Sequence, residues 1–390
     1  MRHSTRRTLG AIAGVGVAAL ALSACSGGGS APAASDADFT PLTSVKLQLQ
    51  WLPQAQFAGY YVALDKGYFQ EEGFDDVEVL PSGGDIVPQD ALVAGDVDFA
   101  VAWVPKVLGT LENQGVELTD IAQVFQKSGT TQVSWKGSGI TSVDDFEGKR
   151  IGSWGFGNEW EIFAAMADKG LDASTVQITT QDFSMNALLD KDVDAAQAMT
   201  YNELAQLLET VNPATGRLYT MDDIDVISYE DTAGAMLQDA IWADTTRLAD
   251  DPAYADAATR FLKAVIKGWV FARDNPTEAA DITYTAATAP GVDAFPVGPT
   301  HQLWQMNEVN KLIWTGGDFG MIDADAWKKT VDGALKAVNQ DGLNLITAEP
   351  AASAYSNDYI EAAHSALKDE GVTVDGDYTP IDVTLTEGGQ

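Results

Sequence analysis

Cysteine is almost absent. The single Cys25 in 390 residues excludes an internal disulfide and a thiolate metal cluster. Histidine is nearly as scarce: only His3, His301 and His364 occur, and His3 lies in a segment expected to be removed, so a multi-histidine metal site is excluded too. Cations are few, 23 Lys+Arg against 57 Asp+Glu, giving a formal charge of -34. Phosphate binding needs a basic footprint, so nucleic acid is not a partner. Nucleotide and hydrolase signatures are missing as well. There is no Gly-x-x-x-x-Gly-Lys-Ser/Thr loop and no Gly-x-Ser-x-Gly elbow. Gly152–Gly157 is glycine-rich without the Gly-x-Gly-x-x-Gly order. Asp222, Asp223 and Asp225, like Asp318, Asp323 and Asp325, lack the Gly and final Glu of a calcium loop and read as solvated acidic surface. No catalytic constellation, cofactor or metal is expected.

What is present begins with the N-terminus. Arg2, Arg6 and Arg7 precede an apolar run, Leu9 to Leu22, too short to span a bilayer stably. The run ends in Leu22-Ser23-Ala24-Cys25, which resembles the lipobox of bacterial lipoproteins. The resemblance implies a signal peptide over residues 1–24, lipidation of Cys25 and attachment to the extracytoplasmic face of the cell membrane. Arg6-Arg7 is compatible with twin-arginine export, and the ordinary secretory route stays open. Cleavage leaves 20 cations against 57 acids, a mature charge near -37. Residues 25–43, rich in Gly, Ser, Ala and Pro up to Asp38, read as a flexible tether.

A chain of this length exceeds one ordinary core, so two lobes are expected. Val45, Leu47, Leu49 and Trp51 alternate with polar residues as in a strand, and Phe57–Lys66 has helical spacing with Gly67 as its stop. Strand and helix signals then alternate, the pattern of βαβ units and largely parallel sheets. The series restarts at Arg150. Leu92-Val-Ala-Gly-Asp-Val-Asp-Phe-Ala-Val-Ala102 lies over Leu188-Leu-Asp-Lys-Asp-Val-Asp-Ala-Ala-Gln-Ala198, six of eleven positions being identical at an offset of 96. The fold expected is therefore α/β and two-lobed, each lobe a mostly parallel sheet flanked by helices. Residues 44–133 and 234–368 are assigned to lobe 1, residues 134–233 to lobe 2, and residues 369–390 to a loose acidic tail. Thr131–Lys136 and Thr232–Ala243 are read as the connections. The Pro- and Asp-led helices after residue 250 are placed on lobe 1.

Ligands of open α/β sheets sit beyond the carboxyl ends of the strands. There the first strand of each lobe reaches a tryptophan, Trp51 or Trp154, followed by a turn and a helix start. Gln54, Phe57 and Tyr60 follow Trp51, and Asn158 and Glu159 follow Trp154. Later strands end in Trp103 and in Tyr201-Asn202-Glu203, and Asp85 lies in a Ser82-Gly-Gly-Asp85 turn. Flat heterocycles suit aromatic walls of this kind. Every one of these residues also has a structural role open to it: a tryptophan as core plug, Asn158 as helix cap, the glutamates as stabilisers of helix N-termini. Glu203 and Trp154 are expected to serve binding rather than stability, and the lone His301 reads as structural.

Trp51-Leu-Pro-Gln-Ala-Gln-Phe-Ala-Gly-Tyr-Tyr-Val-Ala-Leu-Asp-Lys-Gly-Tyr-Phe69, Gly170-Leu-Asp172, Asp182-Phe-Ser-Met-Asn-Ala-Leu-Leu189 and Ala198-Met-Thr-Tyr-Asn-Glu203 together carry a resemblance. They are similar to the solute-binding superfamily that groups alkanesulfonate receptors with thiamine-pyrimidine synthases, from about Val45 to about Trp327. The resemblance implies a type II periplasmic-binding-protein fold and a receptor delivering a small molecule to the permease of an ABC importer. It implies ligand contact by Trp51 and Tyr60, and by Asn158-Glu159 and Tyr201-Asn202-Glu203 as in the vitamin-binding branch. Gln54 and Gln56 stand where pyrimidine-binding members often carry Asn or His, and the Gln-Ala-Gln-Phe-Ala-Gly run is nearer the riboflavin-binding members. The ligand expected is an aromatic heterocycle, riboflavin or a thiamine pyrimidine precursor. A synthase-like enzyme is disfavoured, because such enzymes carry a Cys-rich motif that this chain lacks. A sulfonate or nitrate receptor is disfavoured by the carboxylates expected around the cleft.

Overall fold

Alternation of Val45, Leu47 and Leu49 with polar neighbours produces the first strand, and the strand–helix rhythm continues from it. The computed structural model describes residues 39–292 and 298–390. The expected signal peptide, Cys25 and the expected tether up to Asp38 lie outside the described residues. Leu42 and Thr43, the last residues assigned to the tether, are tied down: Arg260 donates to the Leu42 carbonyl at 3.0 Å and the Asp75 amide to that of Thr43 at 2.7 Å.

The first series runs β1 (Ser44–Gln48), α1 (Ala58–Asp65), α2 (Tyr68–Glu71), β2 (Asp76–Leu80), α3 (Pro88–Val93), β3 (Phe99–Trp103), α4 (Val104–Gln114) and β4 (Leu118–Gln123). The second runs β5 (Thr130–Trp135), β6 (Arg150–Ser153), α5 (Trp160–Asp168), β7 (Gln177–Thr180), α6 (Asn186–Leu189), β8 (Ala195–Met199), α7 (Glu203–Leu208), a short hairpin of β9 (Val211–Asn212) and β10 (Arg217–Leu218), and β11 (Ile224–Ser228). The chain then returns through β12 (Asp239–Asp244), α8 (Thr245–Asp250), α9 (Pro252–Asp274), α10 (Pro276–Ala287), α11 (Pro299–Ile313), β13 (Thr315–Asp318), α12 (Ala324–Lys336), α13 (Asp358–Asp369) and β14 (Asp375–Asp377).

Two five-stranded sheets result, ordered β2-β1-β3-β12-β4 and β11-β5-β8-β6-β7. In each, four strands run in one direction and one runs against its neighbours: β12 is antiparallel to β3 and β4, and β5 to β8 and β11. The sheets are therefore mostly parallel, as expected, each made mixed by a single reversed strand. The reversed strand is in both cases the one that has just crossed from the other lobe. The internal repeat is structural: β3 starts at Phe99 and β8 at Ala195, the offset of 96 seen in the sequence.

Three boundaries differ from the sequence reading. Thr131–Lys136 is not a connection, because its alternating Thr-Thr-Gln-Val-Ser-Trp pattern supplies β5, and the boundary placed at 133 falls inside that strand. The crossings are residues 124–129 and 232–238, held side by side by Gln238, which accepts from the Gly129 amide at 2.9 Å and donates to Thr130 Oγ1 at 2.6 Å. The late helices are not confined to lobe 1. Trp304 on α11 donates to the Thr200 carbonyl at 3.0 Å, and Val331 and Ala334 on α12 share an apolar cluster with Ile162 and Ala165. Nor is the end of the chain loose. β14 pairs with β13, Leu385 packs against the cluster around Val133 and Leu204, and the Gly388 amide donates to the Glu209 carbonyl at 3.1 Å. The apolar residues scattered among its acids give this segment something to bury.

Lobe 1 is pinned where α1 crosses α9. A Cβ on Gly268 would lie 2.0 Å from the Gly59 carbonyl oxygen, and one on Gly59 would lie 2.3 Å from the Trp269 indole. Only glycine lets these helices meet at that spacing.

Candidate functional site

The carboxyl ends of β1, β3, β6 and β8 converge on a cavity of about 900 Å³ between the two sheets. Its walls are aromatic. Trp51 and Trp103 come from the first lobe, and Trp154, Phe183 and Tyr201 from the second. The Phe183 ring sits 4.5 Å from Trp51 and 6.1 Å from Trp154, centroid to centroid, so it joins the tryptophans of the two lobes across the cleft. Trp154 is buried, with its indole N–H unpartnered among the described residues.

Beneath the first wall lies a carboxylate that the sequence reading passed over. Asp239, first residue of β12, stands opposite Trp103 in the strand register and is 1% exposed. Its Oδ1 accepts from Gln50 Nε2 at 2.5 Å and Trp103 Nε1 at 2.8 Å, while Oδ2 accepts from Gln56 Nε2 at 2.9 Å. Gln54 Nε2 in turn donates to Gln56 Oε1 at 2.7 Å. An acceptor-only group at one end thus fixes the direction of the whole amide relay, because each glutamine must present NH₂ toward Asp239. Burial pushes the Asp239 carboxyl up to about 7, against the pull of the Gln56 and Trp103 donors and of Lys106.

In the second lobe the chain after Trp154 turns through three consecutive left-handed residues, Gly155, Phe156 and Gly157, with φ of 72°, 56° and 84°. Phe156 projects into solvent at the mouth of the cavity, 85% exposed. Asn158 closes the turn by donating to the Gly155 carbonyl at 2.8 Å, and Glu159 stands at the N-cap position of α5 without a side-chain capping hydrogen bond. Burial raises the Glu159 carboxyl, opposed by neighbouring backbone N–H groups and Lys106. Glu203 opens α7. Its Oε2 accepts from the Met199 amide and its Oε1 from Asn202 Nδ2, both at 2.9 Å. Burial pushes its carboxyl up to about 7. Asn202 Oδ1 faces His301 Nε2 at 3.1 Å, and His301 Nδ1 faces the Glu209 carboxylate at 3.0 Å, so His301 is a buried bracket between α11 and the second lobe.

Of the residues singled out from the sequence, Trp51, Gln54, Trp103, Trp154, Asn158, Tyr201, Asn202 and Glu203 line the cavity together. Four do not. Phe57 and Tyr60 are buried in the lobe 1 core, Tyr60 edge-on to Trp269 at 6.0 Å. The apolar faces of the short helix after β1 point into the core, which the helical spacing alone does not disclose. Asp85 is exposed on the surface turn, and Glu159 lies behind the lining, beside its own backbone amides. Gln50, Gln56, Lys106, Phe156 and Phe183 line the cavity and were not singled out as contacts. Two signals were available: a lone aspartate inside the apolar run around β12, and a lysine three residues after Trp103. Among the described residues no cluster of three or more His, Cys, Asp or Glu is placed to hold a metal, and no helix is long and apolar enough to cross a membrane.

The chain is 26% identical over 246 residues to the riboflavin-binding protein RibY of Chloroflexus aurantiacus, an alignment covering 62% of this chain and 66% of that one. It is 22% identical over 303 residues to the formylaminopyrimidine-binding protein of Halalkalibacterium halodurans, covering 75% and 85%. Among solved structures, it superposes with a TM-score of 0.52 and 14% identity on a Candida albicans protein described as having the generic periplasmic binding protein structural fold, covering 87% of this chain and 99% of that one. The doubled βα lobe, the cleft at its strand ends and a family match over residues 54–279, more than half of the sequence, lead to one assignment: the chain belongs to the NMT1/THI5 like family and has a periplasmic-binding-protein fold.

Proposed function

We propose that the protein is a lipid-anchored, extracytoplasmic receptor of an ABC importer that captures a flat aromatic heterocycle, riboflavin or a thiamine pyrimidine precursor, and presents it to the permease. The observation that carries this reading is the cavity itself. It has tryptophan faces from both lobes with Phe183 between them, and side-chain amides and carboxylates around them. Ring stacking in such a site adds roughly 0.5–1.5 kcal/mol per pair beyond area burial. A volume of about 900 Å³ accommodates a tricyclic ring as readily as a pyrimidine. The names of the two relatives point to the same ligand classes. The lipobox at Cys25 and the tether supply the anchor, and no enzymatic activity is assigned.

A sulfonate or nitrate receptor is the second reading, and one observation favours it: Lys106 lines the cavity, whereas Asp85 and Glu159 do not. A thermal-shift panel on the full chain in detergent, with riboflavin, 4-amino-5-hydroxymethyl-2-methylpyrimidine, taurine and nitrate, separates the two. A ligand present at a hundred times its Kd raises stability by about 2.7 kcal/mol. Stabilisation by a heterocycle is expected, and stabilisation by taurine or nitrate alone would transfer the assignment to the second reading. Fractionation of cells carrying Cys25→Ala tests the anchor, and retention of that variant in the membrane fraction would remove it.

A further inference from the structure

Three carboxylates line the cavity, and each is already engaged by the protein. Asp90 accepts from Gln114 at 2.8 Å. Glu112 accepts from the Thr347 amide and hydroxyl, at 2.8 and 2.7 Å, which hold its carboxyl below the usual range. Glu203 accepts from the Met199 amide and from Asn202. Lys106 is the one cation among the described lining residues, and Nζ has no hydrogen-bond or ion-pair partner among them.

Its placement is well defined. Lys106 lies in the first turn of α4, immediately after Pro105, with Nζ 5.1 Å from the centroid of the Trp103 ring. Its stem runs across the cleft against the second lobe: Cγ and Cε lie 3.3 and 3.8 Å from where a Cβ on Gly157 would stand. A side chain at 157 would press on that stem, and the left-handed φ of 84° already calls for glycine there. The ammonium is therefore held between the lobes, over an aromatic wall and beside the space where a ring would stack.

A charge in such a place is costly unless something pairs with it. Burial lowers Lys106 to about 8, with Glu159 and Asp239 pulling the other way, so it remains mostly a cation at neutral pH. The buried, unpartnered Trp154 indole N–H is a second donor on the lining. These groups call for an acceptor on the ligand.

We propose that Lys106 binds an acceptor edge of the ligand ring, a carbonyl or deprotonated ring nitrogen such as a pyrimidinedione presents, and thereby selects dioxo heterocycles over amino-substituted ones. The inference rests on the heterocycle reading of the cleft. Its test is calorimetry on the full chain in detergent, comparing wild type, Lys106→Met and Lys106→Arg. The probes are riboflavin, whose ring system carries the dione, 4-amino-5-hydroxymethyl-2-methylpyrimidine, which has no ring carbonyl, and taurine. Methionine keeps the stem and removes the charge, and the melting temperature of each variant reports folding. Expected are a loss of at least tenfold in riboflavin affinity for Lys106→Met, less than threefold change for the aminopyrimidine, and riboflavin binding largely restored by arginine. Unchanged riboflavin binding in Lys106→Met, equal losses for both rings, or a wild type that binds only the aminopyrimidine would each overturn the inference. Binding of taurine alone, lost in Lys106→Met, would overturn the heterocycle reading itself, and this inference with it.

Discussion

Replacing Asp239 separates the part of the cleft that holds the fold from the part that meets the ligand. Asp239→Ala leaves three donors without an acceptor: Gln56 Nε2 and Trp103 Nε1, both on buried side chains, and Gln50 Nε2, which is half-buried. An orphaned buried donor costs about 1–3 kcal/mol, and some of the three can reorient, so a total of about 3–5 kcal/mol is expected. At roughly 2–4 °C per kcal/mol for a domain of some 200 residues, the melting temperature should fall by roughly 10 °C. Asp239→Asn is isosteric and behaves differently. Its NH₂ replaces one acceptor, so Gln56 must turn its carbonyl toward residue 239 and its NH₂ toward Gln54, and Gln54 must turn in response. Both glutamines line the cavity, so this variant should keep most of its stability while changing ligand affinity by about tenfold, or 1.4 kcal/mol. Differential scanning calorimetry and a ligand titration on both variants measure the two effects. A melting temperature for Asp239→Ala within 2 °C of wild type, a difference of about 1 kcal/mol or less, would refute the relay.

Glu203→Ala should destabilise the free protein by about 2–3 kcal/mol, since the carboxylate holds the Met199 amide and Asn202 at the start of α7; an unchanged melting temperature would return Glu203 to a pure binding role. Trp154→Phe, which keeps a ring beside Phe183 and deletes the N–H, should weaken binding with little loss of stability, whereas Trp154→Ala should lose both, as large-to-small core changes do; thermal melts beside titrations distinguish them. Asp239, Glu203 and Glu161, a buried residue of α5 that accepts from the Met236 amide and Gln238 Nε2, all have folded-state values near 7, above their unfolded values near 4, so the native state binds more protons between those limits. Their contribution is fully present below about pH 4 and is lost as pH rises through 7, so melting temperature should fall from pH 5 to pH 8 and fall less steeply in Glu161→Gln; a flat profile contradicts the burial of these groups. Gly268→Ala should fold poorly or melt far below wild type, because its methyl would meet the Gly59 carbonyl at 2.0 Å; a melt within 2 °C of wild type would show that α1 and α9 can part without cost.

The two-lobe plan was legible because β3 and β8 carry the same Asp-Val-Asp lead-in at a constant offset, and because glycines 67 and 170 stop helices at left-handed φ. The tryptophans at the strand ends were legible for the same reason: chain direction and the strand-end rule place them without knowledge of packing. Depth was not legible. Tyr60 lies a few residues beyond Trp51, yet one faces Trp269 in the core and the other faces the cavity, a difference set by how α1 lies against α9. Asp239 was missed because its strand joins a sheet whose other members lie more than 100 residues earlier in the chain. The bridging by α11 and α12 was missed likewise, since both faces of those helices find partners in different lobes.

The proposed receptor role requires a flat heterocycle to stack between Trp51, Trp103 and Trp154. Titrating the detergent-solubilised full chain with riboflavin while following tryptophan emission, with heats measured in parallel, tests that contact. Saturable quenching with a matching one-to-one heat, reduced at least tenfold in affinity by Trp154→Ala, is the expected result. Heat and stabilisation from taurine or nitrate, with no quenching by riboflavin and no response to the aminopyrimidine, would contradict it.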